Sequence, residues 1–202
     1  MDKVNDQYYI NRILLGETNM FAVLVDRYKD LIFTLAIKMV KNREIAEEVS
    51  QDTFIKIFNS LNKFKGDSKF STWIYKIAYN TSLDYLKKNK KDESNVVIDE
   101  LKGYLVKTTD NALSILEDQE RKQDIQNCLN LLSSEESFLL TLFYFDDQSL
   151  NEIGKIMDIS VNNVKIKLFR SRKKLAVILK EKLEPDTLNY YDIGKIPKTK
   201  IK

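Results

Sequence analysis

Helix-breaking residues are scarce in this chain, with five Gly and two Pro among 202 residues. Alternating strand patterns and hairpin-type turn signals are lacking, whereas apolar residues recur at helical spacing. The longest such pattern runs from Phe21 to Met39, over about five helical turns. The sequence therefore predicts an all-α protein.

The helical pattern is lost between Asp92 and about Asp110, where charges mix without periodicity. This gap predicts two small helical domains joined by a flexible linker. We expect the first domain over residues 12–91, the linker over 92–120 and the second domain over 121–183. Residues 184–202 are expected to form a mobile tail, whose lysines either add weak DNA affinity or add nothing.

The second domain contains the segment "SLNEIGKIMDISVNNVKIKLFRSRKKL", which predicts a helix-turn-helix. Ser149 and Glu152 match a capping box at the start of the first helix, as do Ser133 and Glu136 further upstream, and Ser160 is a cap candidate for the second. The second helix carries eight cations and one anion between Val161 and Lys182. Such a helix is suited to the major groove of DNA, with cations on phosphates and polar side chains near base edges.

Composition argues against most enzymatic functions. The chain has no histidine and one cysteine, which removes the usual general base, the common nucleophile pairs and the commonest metal ligand. We therefore expect no catalytic residue, no cofactor and no bound metal. The N-terminal segment has no signal-peptide pattern and no segment is long enough to span a bilayer, so we expect a cytoplasmic protein without direct membrane insertion.

Three stretches together resemble bacterial RNA polymerase sigma factors of the extracytoplasmic-function (ECF) class of the sigma-70 family. They are "IAEEVSQDTFIKIF", "FKGDSKFSTWIYKIAYNTSLDYLKK" and "LLSSEESFLLTLFYFDDQSLNEIGKIMDISVNNVKIKLFRSRKKL". The resemblance covers residues 12–183 in the order and separation of the family. It implies that the first domain is sigma region 2 and the second is sigma region 4. It also implies a monomer, when free, that directs core RNA polymerase to promoters.

The resemblance implies that an acidic face in the first domain docks on the largest catalytic subunits of core RNA polymerase. Helical spacing places this face on the helix that begins near Arg43. On the stripe alone a solvated charged face is the simpler explanation, and the resemblance supplies the docking role. The implied docking residues are Glu47, Glu48, Gln51 and Asp52.

The resemblance also implies that the first domain captures the unpaired non-template strand of the minus-ten promoter element. Aromatic and amide groups beside lysines suit splayed bases and phosphates, and several of these side chains are expected at the solvent-facing side of their helix. Trp73 is expected in the core instead. The implied contacts are Phe64, Lys65, Asp67, Ser68, Lys69, Phe70, Ser71, Lys76, Tyr79 and Asn80.

The second domain is expected to read the minus-thirty-five element as duplex DNA. The implied contacts are Ser160, Asn162, Asn163, Lys165, Lys167, Arg170 and Arg172. The resemblance also implies an anti-sigma factor or another recruiting partner. The chain departs from the family where Asp158 replaces a usual turn Gly, Gly154 a usual Ala, and Phe169 a common His. Because Asp tolerates the left-handed conformation, we expect the turn to persist.

Two other function classes remain open from the residues alone. A helix-turn-helix repressor or activator would bind a palindromic operator as a dimer, although no heptad repeat supports dimerisation. A nucleic-acid enzyme would need a carboxylate metal cluster, for which Glu47, Glu48 and Asp52 are the candidates, without a phosphate-binding Gly-rich loop.

Overall fold

The computed structural model describes residues 5–89 and 125–182, and every regular element within these ranges is helical. The first domain contains four helices and two short 3-10 turns. The helices are α1 (Asp6–Leu14), α2 (Phe21–Val40), α3 (Arg43–Ser60) and α4 (Phe70–Asn89), and the 3-10 turns are Thr18–Met20 and Leu61–Lys63.

The second domain begins with helical residues 125–130 (α5) and continues with three helices. These are α6 (Ser134–Tyr144), α7 (Leu150–Met157) and α8 (Val161–Lys182). The prediction of an all-α protein with two helical domains is confirmed. The expected linker and the expected tail lie outside the described residues.

Local sequence signals set several helix ends. At the start of α7 the Ser149 hydroxyl accepts from the Glu152 amide at 3.2 Å, and the Glu152 carboxylate accepts from the Ser149 amide at 2.9 Å. The Glu136 carboxylate likewise accepts from the Ser133 amide, at 3.2 Å, at the start of α6. Both predicted capping boxes are confirmed, and each satisfies amide groups that a helix start leaves unpaired.

The N-terminal helix begins before the expected domain boundary at residue 12. The Asn5 side chain accepts from the Gln7 amide at 3.3 Å and caps α1. The Tyr28 hydroxyl donates to the Asp6 carboxylate at 2.6 Å, which ties this first turn to α2. Helical structure therefore extends to Asp6.

The two domains share one hydrophobic core. Helix α2 packs against α1, α3 and α4 within its own domain and against α6 of the second, while α4 packs against α7. Leu35 and Tyr75 of the first domain belong to the same buried cluster as Phe138 and Ile153 of the second. Fully burying one such side chain contributes about 1.5–3 kcal/mol, so the apolar contacts hold the domains closely together.

Two lysines near the end of α2 add polar contacts across the same boundary. Lys38 is 6% exposed, and its Nζ donates to Asn130 Oδ1 at 3.1 Å and to the Gln126 side chain. Burial lowers the pKa of Lys38 to about 8, and Lys41 adds to this shift. The Lys41 Nζ donates to the Leu132 carbonyl oxygen at 2.5 Å. The start of the second domain is thus fastened to α2.

A membrane-crossing helix is not found in the parts of the chain that the structure describes, since none of those helices combines sufficient length with sufficient apolarity.

Candidate nucleic-acid interface

Helices α7 and α8 form the predicted helix-turn-helix. The turn between them consists of Asp158, Ile159 and Ser160. Asp158 adopts the left-handed conformation with φ 57°, so the expectation that Asp keeps this turn is confirmed. A Cβ atom built on Gly154 would lie 2.9 Å from the carbonyl oxygen of Ile159. Gly154 therefore lets the turn approach α7 more closely than Ala would allow.

The start of α8 is fixed by Ser160. Its hydroxyl accepts from the Asn163 amide at 3.3 Å, which confirms the expected cap. Val164, Leu168 and Ser171 form the buried face of α8. This face packs against α6 and α7. The spacing of these three residues fixes which side of α8 is turned away from the protein.

The expected minus-thirty-five residues divide into free and engaged side chains. Asn162, Asn163, Lys165 and Arg170 are exposed. Two others make contacts within the protein: Lys167 Nζ lies 2.9 Å from a Glu135 carboxylate oxygen, and Arg172 Nε donates to the Leu168 carbonyl oxygen at 3.3 Å.

The expected contacts include only one member of an exposed row of side chains on α8. Five residues at offsets of four, three, four and four lie opposite the buried face, and we call them the outer ridge. These residues lie on the side of the helix opposite the apolar positions Val164 and Leu168, and this spacing could have identified them. A search for cations and amides alone passes over the apolar residues of the row. The outer ridge consists of Asn162, Ile166, Phe169, Lys173 and Val177.

The loop before α4 and the start of α4 form an aromatic cluster. The rings of Phe70 and Trp73 are stacked, with centroids 5.7 Å apart, and Phe64 lies 5.2 Å from Phe70. Trp73 packs against the hydrophobic core, as expected. Phe70 is only 6% exposed, so in this arrangement its ring supports the loop from within.

Tyr79 was expected at the solvent-facing side of α4, and this expectation is wrong. It is 5% exposed, and its ring centroid lies 5.0 Å from that of Phe138 in the second domain. Burial and the nearby Glu135 carboxylate raise the pKa of Tyr79 to about 12. The next residue, Asn80, is exposed as expected.

The second domain also contacts the charged residues of the expected minus-ten surface. Lys69 Nζ lies 2.9 Å from a Glu152 carboxylate oxygen, and Lys76 Nζ lies 3.3 Å from Asp158 Oδ1. Burial opposes ionisation of Glu152, but hydrogen bonds from Lys69 and Ser149 outweigh it and lower its pKa. Helix α7 and its turn therefore face this surface directly.

Further contacts surround these pairs. Lys155 Nζ donates to the Asp67 carbonyl oxygen at 3.3 Å. Burial raises the pKa of Asp146, while Tyr75 of α4 donates a hydrogen bond to its carboxylate. Lys65 remains exposed and Ser68 and Ser71 are half-buried, so part of the loop stays open to solvent.

The expected docking residues lie on one exposed face of α3. Glu47, Glu48, Gln51 and Asp52 are all exposed, and Glu47 pairs with Arg43 at 3.1 Å. Ile55 continues this face and is also exposed, an apolar neighbour that sequence reasoning did not include. Within residues 5–89 and 125–182, no three acidic, Cys or His side chains converge in a metal-binding group.

Two family models match the chain. The model of sigma-70 region 2 matches residues 24–92, and the model of sigma-70 region 4 matches residues 122–175. The first match includes the acidic face of α3 and the loop before α4. The second includes α6, α7 and most of α8.

Curated relatives align over most of the chain. The ECF RNA polymerase sigma factor SigW of Bacillus subtilis (strain 168) is 33% identical over 182 residues, which cover 85% of this chain and 95% of the relative. The ECF RNA polymerase sigma-E factor of Escherichia coli (strain K12) is 29% identical over 180 residues, which cover 86% of this chain and 94% of the relative.

Two solved structures share the fold. One is CnrH in complex with the cytosolic domain of CnrY, with a TM-score of 0.62 at 20% identity, covering 88% of this chain and 99% of CnrH. The other is the sigma factor RpoE in complex with the anti-sigma factor NepR from Bartonella quintana. It has a TM-score of 0.63 at 21% identity and covers 79% of this chain and 96% of RpoE.

Proposed function

Because the chain belongs to the ECF class of RNA polymerase sigma factors, a family that directs promoter-specific transcription initiation, we propose a division of labour between its surfaces. The acidic face of α3 docks on core RNA polymerase. The loop before α4, together with α4, captures the melted minus-ten strand. Helix α8 reads the minus-thirty-five element as duplex DNA.

The docking proposal rests on the exposure of an unbroken acidic face. Glu47, Glu48, Gln51 and Asp52 point away from the core, while Val49 and Thr53 on the opposite side are buried. A carboxylate-rich face attracts a basic partner and speeds its association. The exposed Ile55 adds an apolar contact at one end, as interfaces often combine a charged rim with an apolar centre.

The strand-capture proposal requires the two domains to separate. Lys69 and Lys76 are paired with carboxylates of the second domain, and the Tyr79 ring lies against the ring of Phe138. A strand bound at these residues would occupy the space that α6 and α7 fill in this structure, in which the two domains are packed together. Docking on polymerase is the step that we expect to hold the domains apart.

Capture of a few bases would not open DNA alone. Each opened base-pair step costs on the order of 1.4 kcal/mol of stacking, and a few captured bases offset only the steps at which they bind, not the whole opened bubble. Polymerase must therefore contribute to melting. An anti-sigma factor is a further proposed partner, since RpoE was solved in complex with one.

The single observation that carries the proposal is the acidic face of α3, because a simple DNA-binding regulator would not need it. The first experiment compares co-elution of the full chain and of a Glu47→Lys, Glu48→Lys, Asp52→Lys variant with bacterial core RNA polymerase. A matched control replaces Asp26, Asp30 and Asp84, exposed on α2 and α4, with Lys.

Co-elution of the wild type and of the control, and its loss in the α3 variant, is the expected result. Equal loss in both variants would mean that net charge rather than this face governs binding. A wild type that shifts duplex DNA as a dimer and does not bind polymerase would support a helix-turn-helix repressor or activator instead.

A further inference from the structure

The outer ridge of α8 is apolar at its centre. Phe169 is 65% exposed and Ile166 is 41% exposed, although both belong to residue types that are usually buried. They lie between Asn162 on one side and Lys173 on the other along the same face. An exposed aromatic ring in the middle of a cationic helix is suited to contact with an apolar group of a partner.

The cations of α8 lie on either side of this ridge. Lys165 and Arg172 flank one side, whereas Lys167 and Lys174 flank the other and are held by Glu135 and Glu136 at 2.9 and 2.6 Å. A helix in the major groove has a phosphate backbone on each side and base edges in front. The arrangement of α8 matches this division, with charge at the flanks and apolar surface at the centre.

The major groove offers one apolar group to such a surface. Thymine carries a C5-methyl group there, and the other groove-facing base atoms used for recognition are hydrogen-bond donors or acceptors. A membrane surface would need a wider apolar stripe, and Asn162 and Lys173 interrupt this one. The chemistry of the ridge therefore favours thymine methyl groups.

We propose that Phe169, with Ile166 beside it, determines promoter specificity by contacting thymine methyl groups in the minus-thirty-five duplex. The inference rests on the proposed function, in which α8 enters the major groove. Asn162 and Arg170 supply hydrogen bonds next to this apolar contact, and Phe169 distinguishes thymine from the other bases.

The test uses the full chain assembled with core RNA polymerase. Duplexes with a randomised upstream segment are selected from two libraries, one synthesised with thymidine and one with deoxyuridine, which lacks only the methyl group. The variants are Phe169→Ala, Phe169→Leu and, as a matched control, Val177→Ala, which removes an exposed apolar side chain two turns further along the ridge.

We expect the wild type to enrich thymine at one or more positions and to bind the selected duplex about fourfold more weakly when that thymine is replaced by uracil. This ratio corresponds to one buried methyl group. Phe169→Ala should bind both duplexes equally, Phe169→Leu should keep part of the difference, and Val177→Ala should keep all of it.

Several results would overturn the proposal. If the wild type binds thymine and uracil duplexes equally at every thymine position, the proposal is wrong and the sigma function is unaffected. Methyl sensitivity that persists in Phe169→Ala would overturn the proposal as well. Loss of polymerase binding in Phe169→Ala without any methyl effect would assign the ridge to a protein contact. Absence of any enriched duplex with assembled wild type would reject α8 as a duplex reader and the proposed function with it.

Discussion

The ammonium group of Lys69 lies 2.9 Å from a carboxylate oxygen of Glu152, and this pair joins the loop before α4 to the first helix of the helix-turn-helix. Lys76 and Asp158 form a second pair across the same boundary. In each pair a lysine that is proposed to contact DNA faces a carboxylate of the other domain. The second domain and a DNA strand therefore compete for the same cations.

Weakening these two pairs should ease strand binding by the free protein. In a Glu152→Gln, Asp158→Asn variant, Gln retains the capping box and Asn tolerates the left-handed turn, so the helix-turn-helix is preserved. Ion pairs at the protein surface contribute about 0.2–1 kcal/mol each, so we expect roughly 2-fold to 30-fold tighter binding. The measurement is fluorescence anisotropy of a labelled single-stranded oligonucleotide of mixed sequence.

A charge-matched control separates this effect from general attraction to DNA. Glu17→Gln with Asp26→Asn removes two ion pairs inside the first domain, with Arg12 and Lys29. If this control tightens binding as much as the interdomain variant does, competition between domain and strand is refuted.

Tyr79 and Asn80 are neighbours in α4, and their truncation should affect different properties: stability for Tyr79 and strand capture for Asn80. Tyr79→Ala removes a buried ring that packs against Phe138 and should lower the free energy of unfolding by about 3–5 kcal/mol. Asn80→Ala lies at the surface and should leave stability within about 0.5 kcal/mol while weakening strand capture. Urea denaturation and permanganate footprinting of promoter complexes measure the two effects, and a destabilised Asn80→Ala would contradict the structure.

Lys38 should make stability depend on pH above neutrality. Its pKa in the folded chain is about 8, below the ordinary value of 10.5, so the unfolded state binds more protons between these values. The contribution of Lys38 to the free energy of unfolding therefore increases as the pH rises between these two pKa values. Lys38→Met removes the group, and its stability relative to wild type should fall by about 2 kcal/mol between pH 7 and pH 9.5.

Urea denaturation at both pH values measures this difference. Lys29→Met is the control, because Lys29 is exposed and bonded to Asp26. A relative stability of Lys38→Met that does not change with pH would show that the amine is not buried in solution.

Gly154→Ala should destabilise the helix-turn-helix. Ala gains about 1 kcal/mol of helix propensity over Gly, but its Cβ would meet the Ile159 carbonyl oxygen at 2.9 Å, and overpacking costs about 1–3 kcal/mol. We expect a net loss of about 1 kcal/mol in thermal denaturation. Asn151→Ala, exposed on the same helix, should gain slightly, and a stabilised Gly154→Ala would show that the turn relaxes freely.

Features that depend on a few neighbouring residues could be predicted from the sequence. Ser149 and Glu152 lie three residues apart and form their capping box without help from the rest of the chain. The left-handed conformation of Asp158 could likewise be predicted, because it depends only on the residue type and on the turn in which it lies. These features are readable because their partners are close in sequence.

Features that depend on the packing of one domain against the other could not be predicted in this way. Tyr79 was expected to face solvent, but its ring is buried and lies against Phe138 of the second domain. Phe169 was noted only as a departure from the family, at the position of a common His, and its exposure became known from the packing of α8 against α6 and α7. Periodicity within a helix indicates its faces, and only the fold shows what each face contacts.

The aromatic cluster beside Lys69 gives the protein an optical reporter of its own state. Trp73 is the only tryptophan in the chain, and its indole is stacked on Phe70 at the base of the loop that the second domain contacts. Emission excited at the red edge of protein absorption therefore comes from one place in the molecule. Domain separation and strand capture by the free protein could each be followed by this emission in real time, without a dye attached to the chain.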